Sequence, residues 1–115
     1  MYEYYVKKVE AVVDGDTIDV LIDLGFDILF ASRVRLAGID TPESRTKDLA
    51  EKKLGLEAKE YLKSKLKDAK DVKIKTEKMD SSEKYGRILG TLYLVGEPVT
   101  VNERMLNEGI AKPYM

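Results

Sequence analysis

Hydrophobic and polar residues alternate along three stretches in the first third of the chain. Residues 4–13 alternate loosely, residues 18–24 alternate clearly, and residues 28–37 form a third such stretch. Side chains on a strand switch faces at every residue, so this period predicts three β-strands. Turn residues separate them at Asp14-Gly15-Asp16-Thr17, where Gly15 would supply backbone freedom, and at Gly25-Phe26-Asp27. We therefore expect a three-stranded antiparallel meander.

The middle of the chain changes to a helical period before two further strands. Residues 44–53 are polar and charged, which predicts a mobile loop. A helix is expected over residues 54–70, because apolar residues recur there at helical spacing. The predicted apolar stripe consists of Leu54, Ala58, Tyr61, Leu62, Leu66 and Ala69. Alternation resumes over residues 72–76 and 88–95, which predicts a fourth and a fifth strand.

A short second helix is expected after the fifth strand. Thr100-Val101-Asn102-Glu103 matches the capping-box pattern at which helices begin, and Gly109 is placed to end this one. The order is then three strands, a helix, two strands and a helix. That order predicts a single domain over residues 1–115, α+β by content and folded as a five-stranded OB-type Greek-key barrel with two helices.

Composition restricts the chemistry that such a barrel can support. The 115 residues include no cysteine and no histidine, which excludes disulfides, zinc–thiolate sites, cysteine nucleophiles and imidazole bases. A bound metal would be held by oxygen atoms, as calcium and magnesium are. The net charge is −1, but residues 1–57 carry 8 Lys and Arg against 12 Asp and Glu, whereas residues 58–115 carry 12 against 9. A bound cation would offset part of the acidic excess in the first half.

Neither a membrane anchor nor a signal peptide is visible in the sequence. No apolar run approaches the ~20 residues that span a bilayer. The N-terminal residues lack a basic start followed by a long apolar stretch. We therefore expect an intracellular protein with no membrane association.

The segment of residues 33–43 contains the first candidate site residues. Val34 and Leu36 are expected to face the core, which turns Arg33 and Arg35 to the opposite face of the strand. A guanidinium offers planar, bidentate donors and keeps its charge, so Arg35 suits a phosphate group. Arg33 is expected to be a surface or supporting charge.

Two aspartates and a glutamate are candidates for metal and water chemistry. Asp16 and Asp40 lie at the ends of different strands, and two carboxylates with carbonyl and water oxygens suffice for a hard divalent ion. Taken singly, each is better explained as a turn residue that bonds the backbone. Glu43 follows Pro42, which fixes its own φ, so Glu43 is a candidate general base or water-orienting group. The alternative is an ordinary surface glutamate.

A basic and aromatic cluster precedes the fifth strand. Arg87 and Arg35 together would clamp a phosphodiester and neutralise charge that grows in its transition state. The alternative for each arginine is a surface ion pair worth at most about 1 kcal/mol. Lys84 and Tyr85 are of the types that hold a nucleic-acid backbone and stack on bases, although Tyr85 alone is equally typical of a core.

Together these stretches resemble the staphylococcal (micrococcal) nuclease family, whose members are also called thermonucleases or SNase-like nucleases. The resemblance runs in order over nearly the whole chain. The matching stretches are Val13-Asp14-Gly15-Asp16-Thr17, Arg35-Leu36, Asp40-Thr41-Pro42-Glu43, Glu57-Ala58, Lys84-Tyr85-Gly86-Arg87, Val101-Asn102-Glu103 and Ala111-Lys112. The stretches Asp40-Thr41-Pro42-Glu43 and Lys84-Tyr85-Gly86-Arg87 are together the most diagnostic.

The resemblance implies an OB-fold, calcium-dependent phosphodiesterase that acts on single-stranded or frayed DNA and on RNA and leaves 3′-phosphate ends. It implies that two aspartates and one main-chain carbonyl bind Ca²⁺, that a glutamate positions or activates water, and that two arginines hold the phosphate. The residues so implied are Asp16, Asp40 and the Thr41 carbonyl for the metal, Glu43, Arg35 and Arg87 for catalysis, and Lys84, Tyr85 and Tyr114 for the substrate.

The chain also departs from the family pattern. Only two helices are predicted, whereas family members continue into a third after the Ala-Lys element, and Gly38 stands where a larger apolar residue is usual. The mildly acidic net charge predicts weaker non-specific DNA binding than in the strongly basic members. A non-catalytic nucleic-acid-binding module and an OB-fold protein-interaction domain are the alternative functions. We expect a monomer, and a dimer stays open because a missing helix would expose apolar surface.

Overall fold

A closed five-stranded barrel forms the centre of the computed structural model, which describes residues 2–68, 71–79 and 88–114. In chain order the elements are β1 (Tyr2–Asp14), β2 (Thr17–Asp23), β3 (Leu29–Leu36), β4 (Ile39–Asp40), α1 (Leu49–Asp68), β5 (Val72–Met79), β6 (Ile88–Leu94), α2 (Val101–Asn107) and β7 (Lys112–Pro113). The barrel order is β1-β2-β3-β6-β5. The β3–β6 pair is parallel and the other barrel pairs are antiparallel. The predicted barrel with two helices is confirmed for the described residues.

One apolar core fills the barrel and the space beneath its two helices. Val34 and Leu36 in β3 are fully buried, as the alternation in that strand predicts. The buried apolar cluster consists of Val12, Ile18, Val20, Ile22, Val34, Leu36, Ile39, Leu62, Leu66, Val72, Ile74, Leu92, Val101, Met105 and Ala111. It draws on every barrel strand and both helices, so strand closure and helix docking stabilise one another.

Helix α1 begins at Leu49, five residues before its predicted start, so the predicted mobile loop over residues 44–53 is partly wrong. The Asp48 carboxylate accepts hydrogen bonds from the N–H groups of Ala50 (3.0 Å) and Glu51 (3.3 Å). These contacts satisfy two of the N–H groups that a helix leaves unpaired at its start. Asp48 and Glu51 have the spacing of a capping box, which outweighs the polar composition of the segment.

The buried face of α1 differs from the predicted stripe at its first turn. Ala58 and Leu62 are buried as expected, but Leu54 is 54% exposed. Gly55 takes the inward position instead. Ala69, at the end of the predicted stripe, lies outside the described residues.

Helix α2 has the predicted boundaries because both of its caps form. Thr100 Oγ1 accepts a hydrogen bond from the Glu103 N–H at 3.0 Å. At the other end Gly109 adopts a φ of 73°, and the Ile110 N–H donates to the Met105 carbonyl at 2.9 Å. This left-handed glycine with its long-range hydrogen bond is a Schellman ending.

Side-chain hydrogen bonds of Glu108 and Asn102 hold α2 against the rest of the fold. The Tyr61 hydroxyl in α1 donates to the Glu108 carboxylate. Burial is the main cause that raises the pKa of Tyr61, and this hydrogen bond is the second. Asn102 is buried, and its side-chain amide donates to the Ala37 carbonyl at 2.8 Å while its oxygen accepts from the Leu92 N–H at 3.1 Å. Asn102 therefore links α2 to β6 and to the chain that follows β3.

The two-stranded sheet of β4 and β7 was not predicted. Its register pairs Ile39 with Pro113 and Asp40 with Lys112. Strands of two residues carry no alternation that a sequence pattern detects. Gly38 precedes this sheet with a φ of +77°, which explains a glycine at that position.

In the described part of the chain, no helix is both long enough and apolar enough to cross a membrane. A single domain over residues 1–115, a monomeric state and an intracellular location stay predictions.

We predict that Asn102→Ala lowers the free energy of unfolding by about 2–4 kcal/mol, because it leaves buried backbone groups without partners. Urea denaturation followed by circular dichroism measures this change. Asn107→Ala, an exposed position in the same helix, is the matched control and should change stability by less than about 0.5 kcal/mol. Equal stability of the two variants would contradict the linking role of Asn102.

Candidate active site

Asp16 is a buried carboxylate at the tight turn between β1 and β2, with 8% of its surface exposed. Its Oδ1 accepts a hydrogen bond from the Thr17 hydroxyl at 3.0 Å, and its Oδ2 accepts one from the Thr41 N–H at 3.1 Å. The Asp16 carbonyl also accepts from the Leu36 N–H at 2.8 Å. Asp16 therefore joins its own turn to the end of β3 and to the turn after β4.

Gly15 allows this turn to pack closely, which corrects the role expected for it. Its φ is not in the left-handed region. A Cβ at this position would lie 2.7 Å from Ala58 Cβ and 3.0 Å from Thr41 Oγ1. Glycine is required here for close approach to α1 and to Thr41, and not for backbone freedom.

Arg35 lies between the two candidate metal-binding carboxylates. Its Nη2 is 3.7 Å from Asp16 Oδ2 and 3.5 Å from Asp40 Oδ1. The side chain is 10% exposed, and its guanidinium carbon lies 4.3 Å from the centre of the Tyr114 ring. The buried guanidinium of Arg35 thus lies beside both Asp16 and Asp40, which are 24 positions apart in the chain.

The small β4–β7 sheet positions Asp40 and Tyr114. Asp40 ends β4 opposite Lys112, and the Tyr114 N–H donates to the Gly38 carbonyl at 3.1 Å. The chain after β7 therefore lies against the start of β4, and this places the Tyr114 ring on Arg35. Tyr114 was expected to contact substrate, and the structure brings it to the predicted phosphate-binding residue.

A groove beside Arg35 and Tyr114 has a volume of about 510 Å³, which is within the range of small-molecule sites. Its lining residues are Arg35, Ala37, Gly38, Glu77, Leu89, Thr91 and Tyr114. Leu89 and Thr91 come from β6 and were not predicted as site residues, because an apolar or hydroxyl residue in a strand carries no distinctive signal. The groove is open enough at Tyr114, which is 61% exposed, for a planar ligand to reach the ring.

Arg33 has a different environment from Arg35 although both are on the same face of β3. Its Nε and Nη2 donate to the two carboxylate oxygens of Asp19, at 2.8 and 3.1 Å. This hydrogen-bonded pair is on the surface, and the Arg33 guanidinium holds the pKa of Asp19 below its ordinary value. The expectation that Arg33 is a surface charge is confirmed.

Glu43 is exposed, and the backbone of Glu43 and Ser44 is held by side chains from other parts of the chain. Its N–H donates to Glu51 Oε1 at 3.4 Å. The next residue, Ser44, is 3% exposed, and both its hydroxyl and its N–H donate to Asp14 Oδ1. Asp14 and Ser44 are therefore residues of the site region that sequence reasoning missed, although Asp14 belongs to the Asp-Gly-Asp turn.

The carboxylates of Asp16 and Asp40 are ligands of the type that hard cations prefer. The Asp16 and Asp40 carboxylates already converge on one positive nitrogen. Thr41 Oγ1 is buried and has no hydrogen-bond partner among the described residues. Over the described residues no group of three or more His, Cys, Asp or Glu side chains is arranged to hold a metal, so a cation would need main-chain and solvent oxygens besides the two carboxylates.

Three predicted site residues cannot be placed on this geometry. Lys84, Tyr85 and Arg87 lie outside the described residues. Strand β6 begins at Ile88, which pairs with Val34 of β3.

Similarity to known proteins identifies the family of the chain. The staphylococcal nuclease homologue family matches residues 33–115, and the chain belongs to that family. An uncharacterized protein of Bacillus anthracis is 36% identical over 102 residues, which are 89% of this chain and 44% of that protein. Protein ParB of Escherichia coli is 33% identical over 93% of this chain and 56% of its own length. The SPbeta prophage-derived endonuclease YokF of Bacillus subtilis is 34% identical over 87% of this chain and 31% of its own length.

The chain spans only about a third to just over half of the length of these three relatives. The family match itself covers residues 33–115, and the activity of the whole protein is a matter for proposal.

We predict that Tyr114→Ala destabilises the protein by about 1 kcal/mol, because it removes an aromatic ring from a largely desolvated guanidinium. Tyr114→Phe keeps the ring, so its free energy of unfolding should be close to that of the parent chain. Urea denaturation of the two variants side by side measures the difference. Loss of stability to the same extent in both would contradict a cation–π contribution.

Proposed function

We propose that this chain is a cation-dependent nuclease that hydrolyses phosphodiester bonds of DNA and RNA. The observation that carries the proposal is the buried Arg35, placed between Asp16 and Asp40 and open to a groove through Tyr114. Membership of the staphylococcal nuclease family and the similarity to an endonuclease support it. Single-stranded or frayed substrate is proposed, because the groove at Tyr114 suits an unpaired base.

The proposed cation is Ca²⁺, held by the carboxylates of Asp16 and Asp40 and by the main-chain carbonyl of Thr41. Oxygen-only ligands of this kind select hard cations. When bound, such a cation polarises the phosphate and favours ionisation of a nearby water. Asp16 would keep its hydrogen bond to the Thr41 N–H, and so would hold the turn after β4 in register with the carboxylates.

Arg35 and Arg87 are proposed to hold the phosphate. The contacts of Arg35 with both carboxylates involve Nη2, so within the described part of the chain its Nε and Nη1 donors are left for phosphate oxygens. A guanidinium that is already desolvated and oriented interacts strongly with the extra negative charge of a pentacovalent phosphorus. Arg87 comes directly before β6 in the sequence, and the resemblance to the family gives it the same role.

Glu43 is proposed to orient a water molecule and take its proton. The water oxygen attacks phosphorus, the bond from phosphorus to the 5′ oxygen breaks, and the 5′ oxygen leaves as a hydroxyl with a proton from solvent. The 3′ oxygen keeps the phosphate, so 3′-phosphate ends result. Tyr114, with Lys84 and Tyr85, would contact the nucleotides on either side of this bond.

A gel assay tests the function directly. Denatured DNA and RNA are incubated with the protein in Ca²⁺ or in EGTA, and the ends of the products are tested for removal by a 3′-phosphatase. We expect degradation in Ca²⁺ and no degradation in EGTA. Retarded but intact DNA would instead support a non-catalytic nucleic-acid-binding module, and neither effect would support a protein-interaction domain.

We predict that Arg35→Lys and Arg87→Lys each lower kcat by about 100-fold or more, because a point charge replaces a bidentate donor at the reacting phosphate. Arg33→Lys is the matched control, since Arg33 is on the same strand face but pairs with Asp19 on the surface. It should retain the activity of the parent chain. Unchanged kcat in Arg35→Lys, with binding intact, would contradict the proposed role of Arg35.

A further inference from the structure

Gly55 in α1 lies directly against the backbone that carries Glu43. A Cβ at Gly55 would be 2.3 Å from the Glu43 carbonyl oxygen, 2.4 Å from its carbonyl carbon and 2.7 Å from the Ser44 nitrogen. All three are backbone atoms, so no rotation of a side chain relieves the overlap. Any larger residue at position 55 must move the Glu43–Ser44 peptide or the helix.

The conformation of Gly55 gives no other reason for a glycine. It is in the interior of a 20-residue helix and has no left-handed φ. Glycine lowers helix stability relative to alanine in such a position. The close approach of the Glu43 peptide is therefore the physical reason for glycine here.

The same peptide is held at two other points. Glu51, one turn before Gly55, accepts from the Glu43 N–H, and Asp14 accepts from the Ser44 hydroxyl and N–H. Ser44 is buried and Glu43 is exposed, so the peptide between them is held at the boundary between the interior and the surface. Asp14 also belongs to the turn that carries Asp16.

We propose that Gly55 is a positioning residue for the reaction. It lets α1 pack directly against the Glu43–Ser44 peptide, and this packing fixes the Glu43 carboxylate relative to Asp16, Arg35 and Asp40. Ser44, through Asp14, supplies the second support. This inference rests on the proposed role of Glu43 in orienting water. It assigns to α1 a part in the chemistry although none of its side chains need touch the substrate.

The test is a double-mutant cycle between Gly55→Ala and Glu43→Gln, with kcat and KM measured on denatured DNA in Ca²⁺. We expect Gly55→Ala alone to lower kcat at least 10-fold and to change KM less than 2-fold. In the Glu43→Gln background, Gly55→Ala should lower kcat by less than a further 2-fold, because the carboxylate that Gly55 positions is already absent. Ser64→Ala, at an exposed position of α1, is the control for helix propensity and should leave kcat unchanged.

A role in folding alone would give a different result. The fold-decreases in kcat from Gly55→Ala and Glu43→Gln would then multiply in the double variant. Alternatively, Gly55→Ala would lower stability and leave kcat per folded molecule unchanged. Either outcome overturns the proposal. If Gly55→Ala does not fold, Ser44→Ala in the same cycle replaces it and must show the same suppression. A normal kcat in Glu43→Gln would contradict the proposed role of Glu43 itself. A lower kcat in Glu43→Gln with an unchanged kcat in Gly55→Ala would overturn only the inference about Gly55.

Discussion

The buried carboxylate of Asp16 is the contact on which the site depends. Its two oxygens accept from the Thr17 hydroxyl and the Thr41 N–H and face Arg35, so one side chain connects the start of β2, the end of β3 and the turn after β4. A carboxylate on a side chain that is only 11% exposed is stable only where such partners compensate the lost hydration. Removing it would leave Asp40 as the remaining carboxylate beside Arg35 among the described residues, and it would free the turn that leads to Glu43.

Arg35 makes the last residues of the described chain part of the site. Its guanidinium has carboxylates at its edge and the Tyr114 ring on its face. The ring is there because β7 pairs with β4 and because the Tyr114 N–H donates to Gly38. The β4–β7 sheet contributes the fully buried Ile39 to the apolar core, and it also determines the position of one metal-ligand candidate and of one aromatic residue.

Alternation and capping patterns predicted most of the fold, because each acts over neighbouring residues. The five barrel strands, both caps of α2 and the opposite strand faces of Val34 and Arg35 follow from local rules. The start of α1 was missed because the polar composition of residues 44–53 hid the Asp48 cap. The positions of Gly15 and Gly55 were beyond sequence reasoning, since each is explained by a backbone or side chain distant in the chain that comes within 3 Å of an added Cβ.

The two halves of α1 meet different demands. Leu62 and Leu66 fill the core, where large apolar side chains stabilise the barrel. Gly55 and Ala58 face the Glu43–Ser44 peptide and the Asp16 turn, where a larger side chain would separate the helix from the site. A glycine within a helix costs about 1 kcal/mol relative to alanine, so the core-facing half must supply the stability that the site-facing half gives up. The same helix therefore contributes to barrel stability and to the packing of the Glu43–Ser44 peptide through different residues.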